Sequence, residues 1–229
     1  MGYLEQLEKD YNEYLIECRS AMRITLAKLE NLREHLEHTN DRIIFDNVES
    51  RIKTFDSAVN KCRRKNYEHV TKKGLMKREI TRDDFTIDTI RTHMQDIAGV
   101  RITTVFQDDI YFIYEAIKKT DMIISHTDDY IVKPKKNGYR SLHIILMVRI
   151  STNDGAKLVP VEVQIRDKAM DLWAAMDHII RYKNPNPSPD AEQKFLELSE
   201  TLCKFDESVI SLRDFDTNNL ISFSTKSPE

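Results

Sequence analysis

No glycine or proline occurs between Tyr3 and Lys73. Within that stretch Leu4, Leu7, Tyr11, Tyr14, Cys18, Met22, Leu26, Leu29, Leu32 and Leu36 recur at steps of three and four, tracing one face of a long helix. A stripe of this kind serves a core or a subunit contact, not a ligand. The same periodicity predicts helix over 41–66, with Ile44, Val48, Ile52, Phe55, Val59 and Cys62 as its apolar side. The punctuation changes after that. A helix over 83–95 leads into a β-branched run from Val100 to Phe106 that reads as a strand. A helix over 108–119 and a short apolar segment, Met122–Ser125, come next. Pro134, Asn137 and Gly138 mark 130–140 as a loop, and strands over 142–150 and 158–166 flank a turn at Asn153, Asp154 and Gly155, as in an antiparallel hairpin. Helices over 168–182 and 190–213 close the chain, with NPNPSP (184–189) between them and a frayed tail from Thr217. The expected architecture is a small mixed sheet wrapped by helices.

Two classes fall away early. No apolar run approaches the ~20 residues of a membrane-spanning helix, and the first residues lack a signal peptide's apolar centre. Three widely separated cysteines, Cys18, Cys62 and Cys203, suit neither a disulfide framework nor a zinc site and point to a reducing cytoplasm.

Charge is uneven. The whole chain carries −3, yet residues 51–82 hold eleven basic side chains against three acids, a net +8. From Asn184 onward nine acids face four bases. A positive block in a mildly acidic protein reads as a polyanion site or as a solvated helix face; charge alone does not choose between them.

Four constellations could carry chemistry. In the first, Lys53, Ser57 and Lys61 stand at i, i+4 and i+8, one row of a helix able to line a triphosphate, with Arg51 able to stack on a base. In the second, Asp96 precedes Gly99 and a β-run, where a carboxylate can hold Mg²⁺, and Arg101 follows. The third is the strand VPVEVQIR. Val161, Val163 and Ile165 point one way and Glu162, Gln164 and Arg166 the other, which supplies a second carboxylate for metal-assisted phosphoryl chemistry. The fourth is the loop KPKKNGYRSLH, where Lys133, Lys135, Lys136 and Arg140 surround Tyr139, a ring able to stack on a base. Each has a bland counterpart: a lysine row, a capping acid, an amphipathic edge strand, a basic turn. Neither a Walker loop nor a G-x-G-x-x-G motif occurs.

In order, RIKTFDSAVNK, DIAGVRI, YIVKPKKNGYRSLH and VEVQIRDKAMDLWAAMDHIIRYK resemble the synthetase domain of the RelA/SpoT homologues, most closely the single-domain small alarmone synthetases. The resemblance covers about 48–183 and implies an α/β (α+β) fold, a nucleotidyltransferase-like mixed sheet with long flanking helices. On this basis 1–40 is a packing or oligomerisation helix, 41–185 the catalytic domain and 186–229 a C-terminal helix and tail. With no hydrolase half ahead of it, the chain reads as a synthetase only.

The implied reaction moves the β,γ-pyrophosphate of ATP to the ribose 3′-hydroxyl of GDP or GTP, releasing AMP and forming ppGpp or pppGpp. By resemblance, Arg51 and Arg101 sandwich the adenine, and Lys53, Ser57 and Lys61 hold the ATP phosphates. Asp96 binds Mg²⁺ together with Glu162, which also activates the 3′-hydroxyl, and Tyr139 stacks on the acceptor base. Lys133, Lys135, Arg140, His143, Gln164 and Arg166 complete the acceptor and phosphate shell. Asp171, in the first turn of its helix, is a candidate reader of guanine N1–H and the exocyclic amine, or simply an acid at a helix N-terminus. A homotetramer is the implied assembly.

Asp167 replaces the family's usual Thr, Met176-Asp177-His178 its usual Leu-Glu-His, and the segment from Asn66 to Thr89 is long and basic. The last two departures keep open a toxic relative that pyrophosphorylates the 3′ end of tRNA, with an antitoxin protein as candidate partner. A catalytically inactive binding module is the third reading. Intact Asp96, Glu162 and Tyr139 argue against it.

Overall fold

The structure is a computed structural model. It describes residues 2–72, 86–183 and 187–224, and among these the side chains of all but 4, 65–72, 181–183 and 216–224. The elements run α1 (Tyr3–Asn40), β1 (Asn47–Ile52), α2 (Phe55–Lys72), α3 (Ile87–His93), β2 (Ala98–Thr104) and α4 (Asp108–Lys118). They continue with β3 (Ile123–Asp129), β4 (Leu142–Thr152), β5 (Gly155–Asp167), α5 (Lys168–Lys183) and α6 (Pro189–Ser224). The strands form one mixed sheet in the order β1-β2-β5-β4-β3, with β2 and β5 parallel and every other pair antiparallel. This is the mixed, helix-wrapped sheet that the sequence leads one to expect.

The apolar stripe of α1 lies across the sheet, on β5, β2 and β4. Leu7, Tyr11, Tyr14, Cys18 and Leu29 are buried there with Val100, Ile102, Val161, Val163, Ile165 and Ile144. The stripe is therefore spent on the chain's own core. Ile110, Ile113 and Ile117 of α4 join the same cluster. The exposed large apolar residues lie elsewhere, among them Leu172, Ile179 and Ile180 of α5 and Leu198, Phe205 and Leu212 of α6.

The expected helix over 41–66 is wrong in its first half. Asp41 ends α1 in the left-handed region at φ 49°, and 47–52 is a strand, so helix resumes only at Phe55. A strand at the sheet edge is half-solvated, and Ser50 interrupts the alternation between Val48 and Ile52. The spacing of Ile44, Val48 and Ile52 then mimics a helix. Lys53 consequently stands ahead of α2, so Lys53, Ser57 and Lys61 do not share a helical row.

Other boundaries moved by a few residues. β2 occupies 98–104 rather than 100–106, and Met122–Ser125 is the start of strand β3. The last helix runs on to Ser224, past the expected fraying point at Thr217. Within the basic block, Lys73, Lys77, Arg78 and Arg82 lie outside the described residues. None of Cys18, Cys62 and Cys203 forms a disulfide. No described helix is long and apolar enough to cross a membrane.

Candidate active site

The side-chain alternation of β5 builds the site. Val161, Val163 and Ile165 face the α1 core, so Glu162 and Gln164 must face the other way. Strand register extends that polar face across the sheet. Glu49, Arg101, Gln164, His143 and Asp128 are successive partners from β1 to β3, and Arg51, Gly99, Glu162 and Ile145 form the next row. Arg51, Arg101, Gly99, Glu162 and Gln164 line one cleft. Gly99 presents no side chain, and a Cβ there would meet Arg51 Cγ at 3.7 Å.

Beside the cleft, Asp96 lies in the approach to β2. Lys53 Nζ is 2.9 Å from its Oδ2, and Lys61 Nζ reaches the same oxygen. Lys53 is fixed through its backbone, donating to Ile97 O at 2.9 Å and accepting from the Tyr11 hydroxyl at 2.8 Å. Lys53 and Lys61 thus converge although they share no helix row. Burial works to raise the Asp96 pKa, but the two lysines outweigh it and hold the carboxyl below its ordinary value. Asp96 Oδ1 is buried with no hydrogen-bond partner. Ser57 is exposed and its hydroxyl accepts from Thr54 at 2.9 Å.

Glu162 is held by two donors. Gln164 Nε2 donates to Oε2 at 2.7 Å, and His143 Nδ1 lies 3.3 Å from Oε1. Burial raises its pKa, yet the His143 and Gln164 contacts prevail over that and over the nearby Asp96 charge. The net direction is downward. His143 Nε2 lies 3.0 Å from the Tyr139 hydroxyl. Tyr139 also packs on Trp173 at 6.3 Å between ring centroids, and Lys135 Nζ lies 4.9 Å from its ring centroid and 4.3 Å from that of Tyr130. Desolvation pulls the Lys135 pKa down while Glu162 and Asp128 act against it.

The remaining candidates divide. Lys133 is exposed on the loop, and Arg140 turns back to donate to Ile131 O at 2.9 Å, bracing the loop itself. Arg166 is buried and ion-paired to Asp171, which also approaches Arg101. Sequence reasoning missed Glu49, Tyr130 and Ser199. Glu49, two residues before Arg51, was hidden by reading its segment as helix; it pairs with Arg101 at 3.2 Å. Tyr130 packs edge-on against His143 at 5.1 Å. Ser199 of α6 donates to Gly138 O at 2.5 Å, a long-range contact with no local sequence signal.

This arrangement offers a carboxylate base, a second carboxylate with a free oxygen, two converging ammoniums and a cleft walled by guanidiniums. Those are the parts of a site for phosphoryl-group transfer. A family model described as a region found in RelA/SpoT proteins matches residues 50–187. The GTP pyrophosphokinase YwaC of Bacillus subtilis is 31% identical over 215 residues, 93% of this chain and 95% of that protein. The small alarmone synthetase 1 from Bacillus subtilis bound to its product pppGpp superposes with a TM-score of 0.75 at 30% identity, over 90% of this chain and 97% of the other. The same synthetase bound to AMPCPP gives 0.68 at 26% identity, over 92% and 99%.

Proposed function

Since the chain belongs to the RelA/SpoT family, we propose that it is a (p)ppGpp synthetase, moving the β,γ-pyrophosphate of ATP onto the ribose 3′-hydroxyl of GDP or GTP. Full-length likeness to a GTP pyrophosphokinase supports this, as does likeness to a synthetase solved with its product and with an ATP analogue. The single observation that carries it is that Glu162 on β5 and Asp96, just ahead of the parallel neighbouring strand β2, lie close enough to feel each other's charge, with Lys53 and Lys61 ion-paired to Asp96. The catalytic region is taken as 41–185, between α1 and α6.

Arg51 and Arg101 face the donor base across the cleft, and Lys53 and Lys61 draw the phosphates toward Asp96. Tyr139 receives the acceptor base, with Lys135 and His143 beside it. Glu162 then takes the proton of the 3′-hydroxyl as its oxygen bonds to the β-phosphorus, and the bond to the leaving AMP breaks. Asp96 is suited to Mg²⁺: it has a buried oxygen without a partner, and such an ion needs only one or two protein carboxylates beside phosphate and water. Glu162 would be the second carboxylate. When bound, the ion neutralises phosphate charge and polarises the attacked group. Self-association would use the exposed apolar residues of α5 and α6, because the α1 stripe is already covered.

Pure protein with γ-labelled ATP, Mg²⁺ and, in parallel, GDP, GTP or deacylated tRNA tests the reading. Label should appear on a guanine nucleotide. Label on tRNA alone, or on no product, would overturn it. Light scattering of the same sample measures the assembly.

A further inference from the structure

Asp171 stands between two guanidiniums supplied by two different strands. Its Oδ1 is 2.5 Å from Nη2 of Arg166 and 3.7 Å from Nη1 of Arg101. Glu49, across the strand pair from Arg101, approaches that same Nη1 at 3.2 Å. Arg101 is thus held from β1 on one side and from the first turn of α5 on the other. Without those acids its position would be unfavourable. Burial and the neighbouring Arg166 and Arg51 charges all work against its own charge, while Asp171 and Glu49 support it. Arg166 is only 4% exposed, so it has little freedom to retreat into water. Among the described residues, Asp171 is the one acid that touches both arginines.

We propose that Asp171 is a positioning residue for the donor nucleotide: as the shared counter-ion of Arg101 and Arg166, it fixes the Arg101 guanidinium where it stacks on the adenine. This rests on Arg101 belonging to the ATP site. It also sets Asp171 apart from the acceptor pocket on geometric grounds. Trp173, which supports Tyr139, lies two residues further along α5, and side chains so spaced diverge by about 200° around a helix. Asp171 and the acceptor's tyrosine therefore belong to different sides of α5.

The test separates this inference from the reading beneath it. Calorimetry measures the Kd of a non-hydrolysable ATP analogue without acceptor, and steady-state assays give KM for ATP and for GDP, in D171N, D171E, R101A and the D171N/R101A double variant. D171N should weaken the ATP analogue roughly tenfold, between the limits for exposed and buried pairs, and leave the KM for GDP unchanged. D171E should recover part of the loss. In the R101A background, D171N should add little, because its effect passes through Arg101. Additive losses would overturn the inference, as would a rise in the KM for GDP with ATP untouched. If R101A itself leaves ATP binding unchanged, the assignment of Arg101 to the donor fails, and the inference falls with it.

Discussion

His143 Nδ1 lies 3.3 Å from Glu162 Oε1, while the opposite ring nitrogen, Nε2, lies 3.0 Å from the Tyr139 hydroxyl. The two contacts fix a tautomer between them. In the neutral imidazole, the carboxylate can only accept, so the Nδ1 proton is donated to it and the phenol donates to Nε2. With Gln164 donating to the other oxygen, Glu162 is oriented and kept ionised before any substrate arrives.

Replacing Glu162 with Gln should therefore abolish transfer while nucleotide binding persists. Loss of a general base costs on the order of 10²–10⁴ in rate. Because the folded pKa of Glu162 lies below its ordinary 4.5, the base is ionised above that pH, and the acid limb of kcat/KM should fall below it. An acid limb near about 6.5, where a histidine titrates, would show that another group controls the step.

Tyr139→Phe separates stacking from orientation. The ring remains, so the KM for the acceptor should hardly change. The hydrogen bond to His143 is lost, and kcat should fall roughly threefold to tenfold, the worth of one such bond. Tyr139→Ala should raise the acceptor KM as well. Equal kinetics for Tyr139→Phe and wild type would leave the phenol without a role in orienting His143.

Asp96→Asn removes the anion that Lys53 and Lys61 share. Their side chains are 14% and 24% exposed, so the uncompensated charges should lower stability by about 1–3 kcal/mol, the range for hydrogen bonds to charged groups. The variant should also need more Mg²⁺ for half-maximal activity. In the wild type, the stability contributed by Asp96 is present above its ordinary 3.8 and disappears as pH falls through its lower folded pKa. Magnesium titration and denaturation down the acid range measure both effects. An unchanged metal requirement would move the metal to another carboxylate.

Gly138 supports a prediction about the loop. Its φ is +88°, and a Cβ would sit 2.7 Å from Ser199 Cβ of α6. Gly138→Ala therefore meets backbone strain and a clash together, and should cost about 1–3 kcal/mol. Ser199→Ala keeps the offending Cβ and should give no rescue. Because the turn positions Tyr139, the acceptor KM should rise with the instability. Urea midpoints and acceptor kinetics on the same samples test the coupling.

How much of this was written in the chain follows from range. The alternation in VPVEVQIR fixed which face of β5 is buried, because a central strand receives one face from the core and shows it over consecutive residues. Asp96 and Lys61 could be named individually, and their convergence emerged even though the helical row that suggested it does not exist. β1 was illegible because an edge strand with a serine on its inner face gives little alternation. Contacts such as Arg101 with Glu49 and Asp171, or Ser199 with Gly138, cross strands and helices far apart in sequence. No local pattern announces them.

Asp206 and Asp167 are two buried acids that no local pattern pairs. Asp206 of α6 is 6% exposed and Asp167, at the end of β5, is 2% exposed. Asp167 Oδ1 accepts from Met170 N at 2.7 Å, so its charge serves the start of α5. Burial, then the Asp167 charge and a hydrogen bond to it, push the Asp206 carboxyl up to about 7. The pair thus holds one proton where two carboxylates would repel. In the unfolded chain Asp206 titrates near its ordinary 3.8, so between 3.8 and about 7 the folded form keeps a proton that the unfolded form has released. Stability from this group is full below that window, declines as pH rises through it, and levels off above. Asp206→Asn substitutes a permanent amide donor for the protonated acid and removes the titration. Chemical denaturation of both proteins at a series of pH values should give curves that converge at the acid end and diverge toward neutrality, with Asp206→Asn the more stable above about 7. Parallel curves would mean that Asp206 carries no proton when folded.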